Sequence, residues 1–304
     1  MQRMTRSFTR SMNNTPFIYF SGDSFMHGDE LADDTLQCWK DIFGTYQAVP
    51  DARYYTEFQE AKMKEMDGWS DSHLDQFICC QRDRHWSTLV CDKHRIPYHN
   101  DGAGGSSQES VLHRAVISFD KFEQDGNVPT LAIIQLTNPG RLTTYNNMAY
   151  SRTRRIFRNA FDHTHIIKTV LNNNGAGEIQ QTSKRYVLAH MDVESEIGNI
   201  VRWLTTLAIT NSFFKEKTGR YPIYLVNGNL ALNTYMQKTE NIAVPEFQNL
   251  IHQARLYAID INVWNLGRDP HLTCPGGHHT PQTHANFAQF IAPHLLQELN
   301  RKEI

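Results

Sequence analysis

Short apolar runs, each ending on turn-forming residues, set the rhythm of this chain. Pro16-Phe-Ile-Tyr-Phe-Ser21 stops at Gly22, Leu131-Ala-Ile-Ile-Gln-Leu136 runs into Thr137-Asn138-Pro139, and Pro222-Ile-Tyr-Leu-Val-Asn227 stops at Gly228. Runs of this length without polar alternation predict strands buried on both faces. Arg95-Ile-Pro-Tyr-His99 predicts a further strand, which Pro97 assigns to a sheet edge. Between these runs the spacing turns helical. Val111, Leu112, Ala115, Val116 and Phe119 follow Ser106-x-x-Glu109, a capping-box pattern, and predict a helix over 107–120. Ile197, Ile200, Val201, Leu204, Leu207 and Ala208 predict a long amphipathic helix, with Lys215 and Lys217 ahead of a terminating Gly219. A last helix is predicted with Thr280 as its cap, Pro281 in its first turn, a stripe of Phe287, Ile291 and Leu295, and a kink at Pro293. Strands alternating with helices over long connections predict a mostly parallel sheet covered on both faces, an α/β fold.

Two stretches interrupt the alternation. Residues 32–85 are mixed, with helix expected around 55–66, and residues 141–191 are polar and irregular, with a loop at Leu171–Glu178. Both are expected to be insertions in one domain over 16–304, preceded by a flexible basic arm at 1–15. That arm carries Arg3, Arg6 and Arg10 without an apolar stretch, unlike a secretory signal.

Composition narrows the function classes. Of 304 residues, 40% are hydrophobic and 20% charged, enough to build a core and too apolar for a disordered chain. Thirty basic against 32 acidic residues leave a net charge of −2, so no specific nucleic-acid partner is expected. No run of 18 apolar residues occurs, so no membrane span is expected. Cys38, Cys79, Cys80, Cys91 and Cys274 are odd in number and form no CxxC pair, which favours reduced thiols and a cytoplasmic location over a disulfide framework or zinc ribbon. His163/His165 and His278/His279 lack a recognised ligand pattern, so no metal is expected. Arg152–Arg158 is locally basic, read as a solvated helix face or as a contact for an anionic glycan, phosphate or nucleic acid.

In an open parallel sheet, reactive groups gather at the carboxyl ends of strands. Four polar segments fall at such ends or before the last helix: Ser21-Gly-Asp-Ser24-Phe-Met-His-Gly28-Asp-Glu-Leu31, Asn100–Ser107, Gln135–Arg141 and Gly276–His284. In this order they resemble the conserved blocks of the SGNH/GDSL hydrolase superfamily, with third and fifth blocks similar to those of bacteriophage-like members. The resemblance implies a three-layer α/β/α sandwich of flavodoxin-like type. It also implies Ser24 as nucleophile, His278 as base, and an oxyanion hole formed by the backbone N–H groups of Ser24 and Gly105 and the side chain of Asn138.

The chemistry fits these residue types. A serine hydroxyl is a weak nucleophile until a base takes its proton, and the developing oxyanion needs preorganised donors. Alternatives stay open at three positions: Gly104 for Gly105, Thr137 for Asn138, and His279 for His278. The family's orienting aspartate would stand three residues before the histidine, where this chain has Pro275 or Gly276. Asp269 is the nearest upstream acid and the candidate third member, and a backbone carbonyl is the other candidate. The activity expected from the resemblance is that of a serine esterase or acetylesterase, without a cofactor, acting on a small acyl ester or an acylated glycan. The alternative is a virion structural or glycan-binding protein on the same scaffold, assembling into a virion or a homo-oligomer.

Overall fold

The computed structural model describes residues 16–28, 31–44, 52–103, 106–137, 141–146, 165–170, 196–225, 258–259 and 279–301. Strand β1 (Ile18–Ser21) leads into a one-turn helix α1 (Ser24–His27) and a 3-10 turn at Asp33–Thr35. Helices α2 (Gln37–Phe43), α3 (Ala52–Asp67), α4 (Asp71–Asp83) and α5 (Trp86–His94) follow, then β2 (Tyr98–Asn100), α6 (Gln108–Gln124) and β3 (Leu131–Gln135). Next come β4 (Arg141–Asn146), β5 (His165–Val170), α7 (Glu196–Thr218), β6 (Ile223–Leu225), β7 (Ala258–Ile259) and α8 (Pro281–Asn300).

Among the described residues, five strands form one sheet in the order β2-β1-β3-β6-β7, and each pairing described in it is parallel. Ile18 lies opposite both Tyr98 and Leu131, and Ile133 opposite Ile223. With the separate β4–β5 pair set aside, this is the doubly wound order 2-1-3-4-5, whose direction reverses between β1 and β3.

Side-chain parity sorts the apolar runs onto two faces. Ile18, Phe20, Leu131, Ile133, Ile223 and Leu225 pack with Trp86 and Val90 of α5 and Phe287, Ile291 and Leu295 of α8. Tyr19, Ala132, Ile134 and Tyr224 pack with Val111, Ala115 and Phe119 of α6 and Trp203, Leu204, Leu207 and Phe214 of α7. Three layers result, and burial on both sides explains why these strands carry no polar alternation.

The caps follow the sequence closely, with one shift. Thr280 caps α8 by accepting from the N–H of Thr283 at 3.3 Å, and α8 continues through Pro293 to Asn300 as one helix. Gly219 ends α7 with φ 81°. The N-cap of α6 is Ser107, whose hydroxyl accepts from the N–H of Ser110 at 3.2 Å, not the expected Ser106. Ser107 has the extended backbone a cap needs, while Ser106 turns back and donates to the carbonyl of Ala103 at 2.5 Å. The strand expected at 95–99 starts after Pro97 and lies at the sheet edge.

Residues 32–85 are more helical than expected. Helices α2–α4 enclose a satellite core of Leu36, Trp39, Phe58, Met66, Leu74 and Phe77. Inside it Lys62 Nζ meets Asp33 Oδ1 at 2.6 Å, both side chains almost fully buried. The irregular reading of 141–191 is also corrected, because β4 and β5 pair antiparallel from Arg141–Val170 to Asn146–His165. Leu142-Thr-Thr-Tyr and Ile166-Ile-Lys-Thr-Val are rich in β-branched and aromatic residues, a strand signal diluted by polar threonines. Residues 1–15, Arg152–Arg158 and Leu171–Glu178 lie outside the described residues.

Candidate active site

The first segment singled out in the sequence lies at the carboxyl end of β1, beside the end of β3, where the sheet order reverses. Ser24 opens helix α1 there. Asp23 precedes it, buried, with Oδ1 accepting from the N–H of Phe25 at 3.3 Å. A helix of one turn leaves most of its amide and carbonyl groups without internal partners. Neighbouring elements supply them. Gln135 Oε1 accepts from the N–H of Asp23 at 3.3 Å and of Met26 at 3.0 Å. His85 Nε2 lies 2.9 Å from the carbonyl of Phe25, and Asn100 Nδ2 donates to that of Met26 at 2.8 Å. The carbonyl of Gly22 accepts from Arg114 Nη2 at 3.0 Å and from the N–H of Ala103 at 3.2 Å.

Two glycines make this turn possible. A Cβ on Gly22 would stand 2.5 Å from Gln135 Cβ, so only glycine admits the strand so close. Gly28 ends the helix at φ +78°, the left-handed region that side chains avoid.

The partners of His85 assign its tautomer. Nδ1 accepts from the N–H of Ser87 at 3.2 Å as the N-cap of α5, so the proton sits on Nε2 and is donated to Phe25. Behind the turn lies a buried charge network. Burial pushes the Arg114 guanidinium down from its usual value, opposed by Tyr19, Asp101 and Asp23. Burial would raise the carboxyl of Asp101, but hydrogen bonds from His99 and Ser118 and the charge of Arg114 hold it below the ordinary carboxylate range. Asp101 accepts from Tyr19 Oη at 3.0 Å, from Ser118 Oγ, and contacts His99 Nε2 at 2.7 Å. The Tyr19 phenol is raised by burial and by the neighbouring Asp101. The thiols of Cys38 and Cys91 are pushed up to about 12, by burial above all, which keeps them from acting as thiolates.

Phe25, next to Ser24, touches the C-terminal histidine block. Its ring centroid lies 5.1 Å from that of His279, edge-on, and 4.8 Å from that of His284. The two polar segments at opposite ends of the sequence therefore meet. His279 is buried against Phe25. His284 is buried too, and its Nδ1 accepts from the N–H of Trp86 at 3.3 Å, capping the first turn of α5. Thr137 is buried after β3, its N–H donated to Gln108 Oε1 at 3.3 Å and its carbonyl accepting from Trp203 Nε1 at 3.0 Å. His278, Asp269, Gly104, Gly105, Asn138, Pro275 and Gly276 lie outside the described residues, and Ser24 is placed by its backbone.

Sequence reasoning passed over Arg114 and His85, and gave no role of their own to Gln135 and Asn100, which open two of the segments it singled out. Two had a signal: Arg114 interrupts the apolar stripe of α6, and Gln135 ends an otherwise apolar strand. Among the described residues no cluster of three or more His, Cys, Asp or Glu could hold a metal, and no helix is long and apolar enough to cross a membrane.

No family model matches the chain, and no curated protein matches it. Among solved structures, it is similar to a psychrotrophic esterase, EstA, from Pseudoalteromonas sp., determined in a form inhibited by monoethylphosphonate. The TM-score is 0.45 at 10% identity, over 94% of this chain and 99% of that one.

Proposed function

We propose that this protein is a serine ester hydrolase of the SGNH type, acting on a small O-acyl ester. Ser24 attacks the acyl carbon and its proton passes to His278, with His279 as the alternative base. The alcohol leaves with that proton, and water, deprotonated by the same histidine, releases the acid. The N–H groups of Ser24 and Gly105 and the Asn138 amide receive the oxyanion, and Asp269 or a backbone carbonyl orients the base. An acylated carbohydrate is the substrate class to assay first, on the resemblance of the sequence blocks.

One observation carries the reading. The turn that opens on Ser24 sits at the reversal point of the sheet, braced by side chains from outside α1, and abuts the histidine block through Phe25. A site at this point with a rigidly held turn suits a nucleophile.

The test is labelling with a fluorophosphonate followed by peptide mapping. The expected adduct is on Ser24, and Ser24→Ala abolishes both labelling and hydrolysis of a short p-nitrophenyl ester with the melting temperature kept. Stoichiometric labelling of Ser106 or Ser107, or a chain inert to the probe and to esters, overturns the proposal.

A further inference from the structure

We propose that Gln135 is a positioning residue for the nucleophile, holding the Ser24 turn in its reactive geometry; this rests on the serine-hydrolase reading above. Gln135 is the last residue of β3 and only 4% exposed. Its Oε1 accepts two amides at once, from Asp23 and from Met26, one on each side of Ser24. Both bonds end on one oxygen, so rotation or retreat of the turn breaks them together. The amide that the proposed mechanism assigns to the oxyanion is thereby oriented through its neighbours.

The packing shows that this contact is built in. The sheet places Ser21 of β1 opposite Ile134 of β3, so Gly22 and Gln135 follow at the same level on adjacent parallel strands. Gly22 lets them close up: a Cβ there would lie 2.5 Å from Gln135 Cβ and 2.8 Å from Oε1. A glycine on one strand and a carboxamide on its neighbour are therefore matched to each other. An acceptor is what the site needs, because each donor is a backbone N–H. Lys, Arg and Trp at 135 have no acceptor, and apolar residues would strand two buried donors.

The role differs from that of a group touching substrate. A displacement of about 1 Å in a reacting group costs on the order of a hundredfold in rate without a matching loss of binding. Gln135→Met keeps the length and removes the acceptor, and Gln135→Glu keeps an oxygen at the same reach. In the full-length chain, Gln135→Met is expected to slow fluorophosphonate labelling of Ser24 and kcat for a p-nitrophenyl ester by about 10- to 100-fold, with KM within about threefold. Amide exchange in the peptide spanning residues 22–28 should quicken in the same variant. Gln135→Glu should return the labelling rate to within about threefold of wild type. If Gln135→Met does not fold, Gln135→Asn carries the test. Its amide falls short of the turn and should give the same slowing.

Wild-type labelling in a folded Gln135→Met or Gln135→Asn chain overturns the proposal, as does a Gln135→Glu chain as slow as Gln135→Met. Unchanged exchange over residues 22–28 overturns it independently of any activity. A wild-type chain inert to the probe overturns the hydrolase reading instead, and the exchange measurement then still decides whether Gln135 holds the turn.

Discussion

Replacing Gly22 with alanine is the sharpest test of the packing at the β1–β3 junction. Gly22 is not among the glycines with positive φ, so alanine meets no backbone strain and the whole cost comes from contact. The new methyl would stand 2.5 Å from Gln135 Cβ, 2.8 Å from its Oε1 and 2.9 Å from Met26 Cβ. Gln135 Cβ belongs to a strand paired on both sides, so it cannot yield without moving the sheet. Overpacking of this kind costs about 1–3 kcal/mol. Displacing the Gln135 carboxamide forfeits one or both of its hydrogen bonds, at about 1 kcal/mol each. The sum is about 2–5 kcal/mol, a fall of roughly 4–10 °C in melting temperature at about 2 °C per kcal/mol for a chain of this size.

Urea unfolding and thermal melts followed by circular dichroism give the two numbers, with the denaturant slope unchanged if only stability has moved. A second substitution separates the causes. Gln135→Ala removes the oxygen but keeps the nearest obstacle, Cβ, so most of the overpacking penalty persists in that background. Gln135→Gly removes the obstacle, and the pair should then be less destabilised than the sum of the singles by about 1–2 kcal/mol. Gly22→Ala melting within about a degree of wild type, or no coupling with Gln135→Gly, would refute the argument.

Two further outcomes follow from buried charges. The Asp101 carboxyl is depressed in the folded state, so its contribution to stability is full above the unfolded carboxylate value, about 3.9, and is lost as pH falls through the lower folded value. Asp101→Asn should flatten the acid limb of stability against pH below about pH 4, and an acid limb parallel to that of wild type would sink this assignment. Lys62→Met takes the cation from the buried Asp33 carboxylate and should cost about 3–5 kcal/mol, much of it recovered by adding Asp33→Asn; a double variant whose loss equals the sum of the two single losses would show that the pair is not coupled.

The strands most legible in the sequence are those buried on both faces. Ile18–Ser21, Leu131–Gln135 and Ile223–Leu225 are apolar up to a closing Ser21 or Gln135 because helices cover each side. Strand β7, two residues long, and the threonine-diluted β4 and β5 carry too little pattern to stand out. Ser106 and Ser107 illustrate a limit of another kind, since identical neighbours are told apart only by which hydroxyl accepts from the helix amide and which turns back to a preceding carbonyl. The turn at Ser24 was legible because its residues are contiguous. Its supports were not: His85 reaches it across 60 residues and Gln135 across 109, and no local pattern encodes a partner that far away. The histidine block shows both cases at once. Its position before a helix was readable from Thr280-Pro281, whereas the service of His284 to the first amide of α5 depends on a tertiary contact.

The helical excursion through α2, α3 and α4 departs and returns at one place. Arg84, at its end, donates to the carbonyl of Leu31, at its beginning, at 2.9 Å, and also holds Asp34 at 2.5 Å. With its ends joined, the excursion is topologically a closed bay on the sheet, and its length scarcely affects the entropy of closing the host fold, which grows only with the logarithm of loop length. Its core is separate from those on either sheet face, so opening of the bay as a unit would leave the packing of the sheet in place. What it cannot do is vary at its rim. His85, one residue beyond the clasp, bonds Phe25, so trimming or exchange of the bay is tolerated only between Leu31 and Arg84.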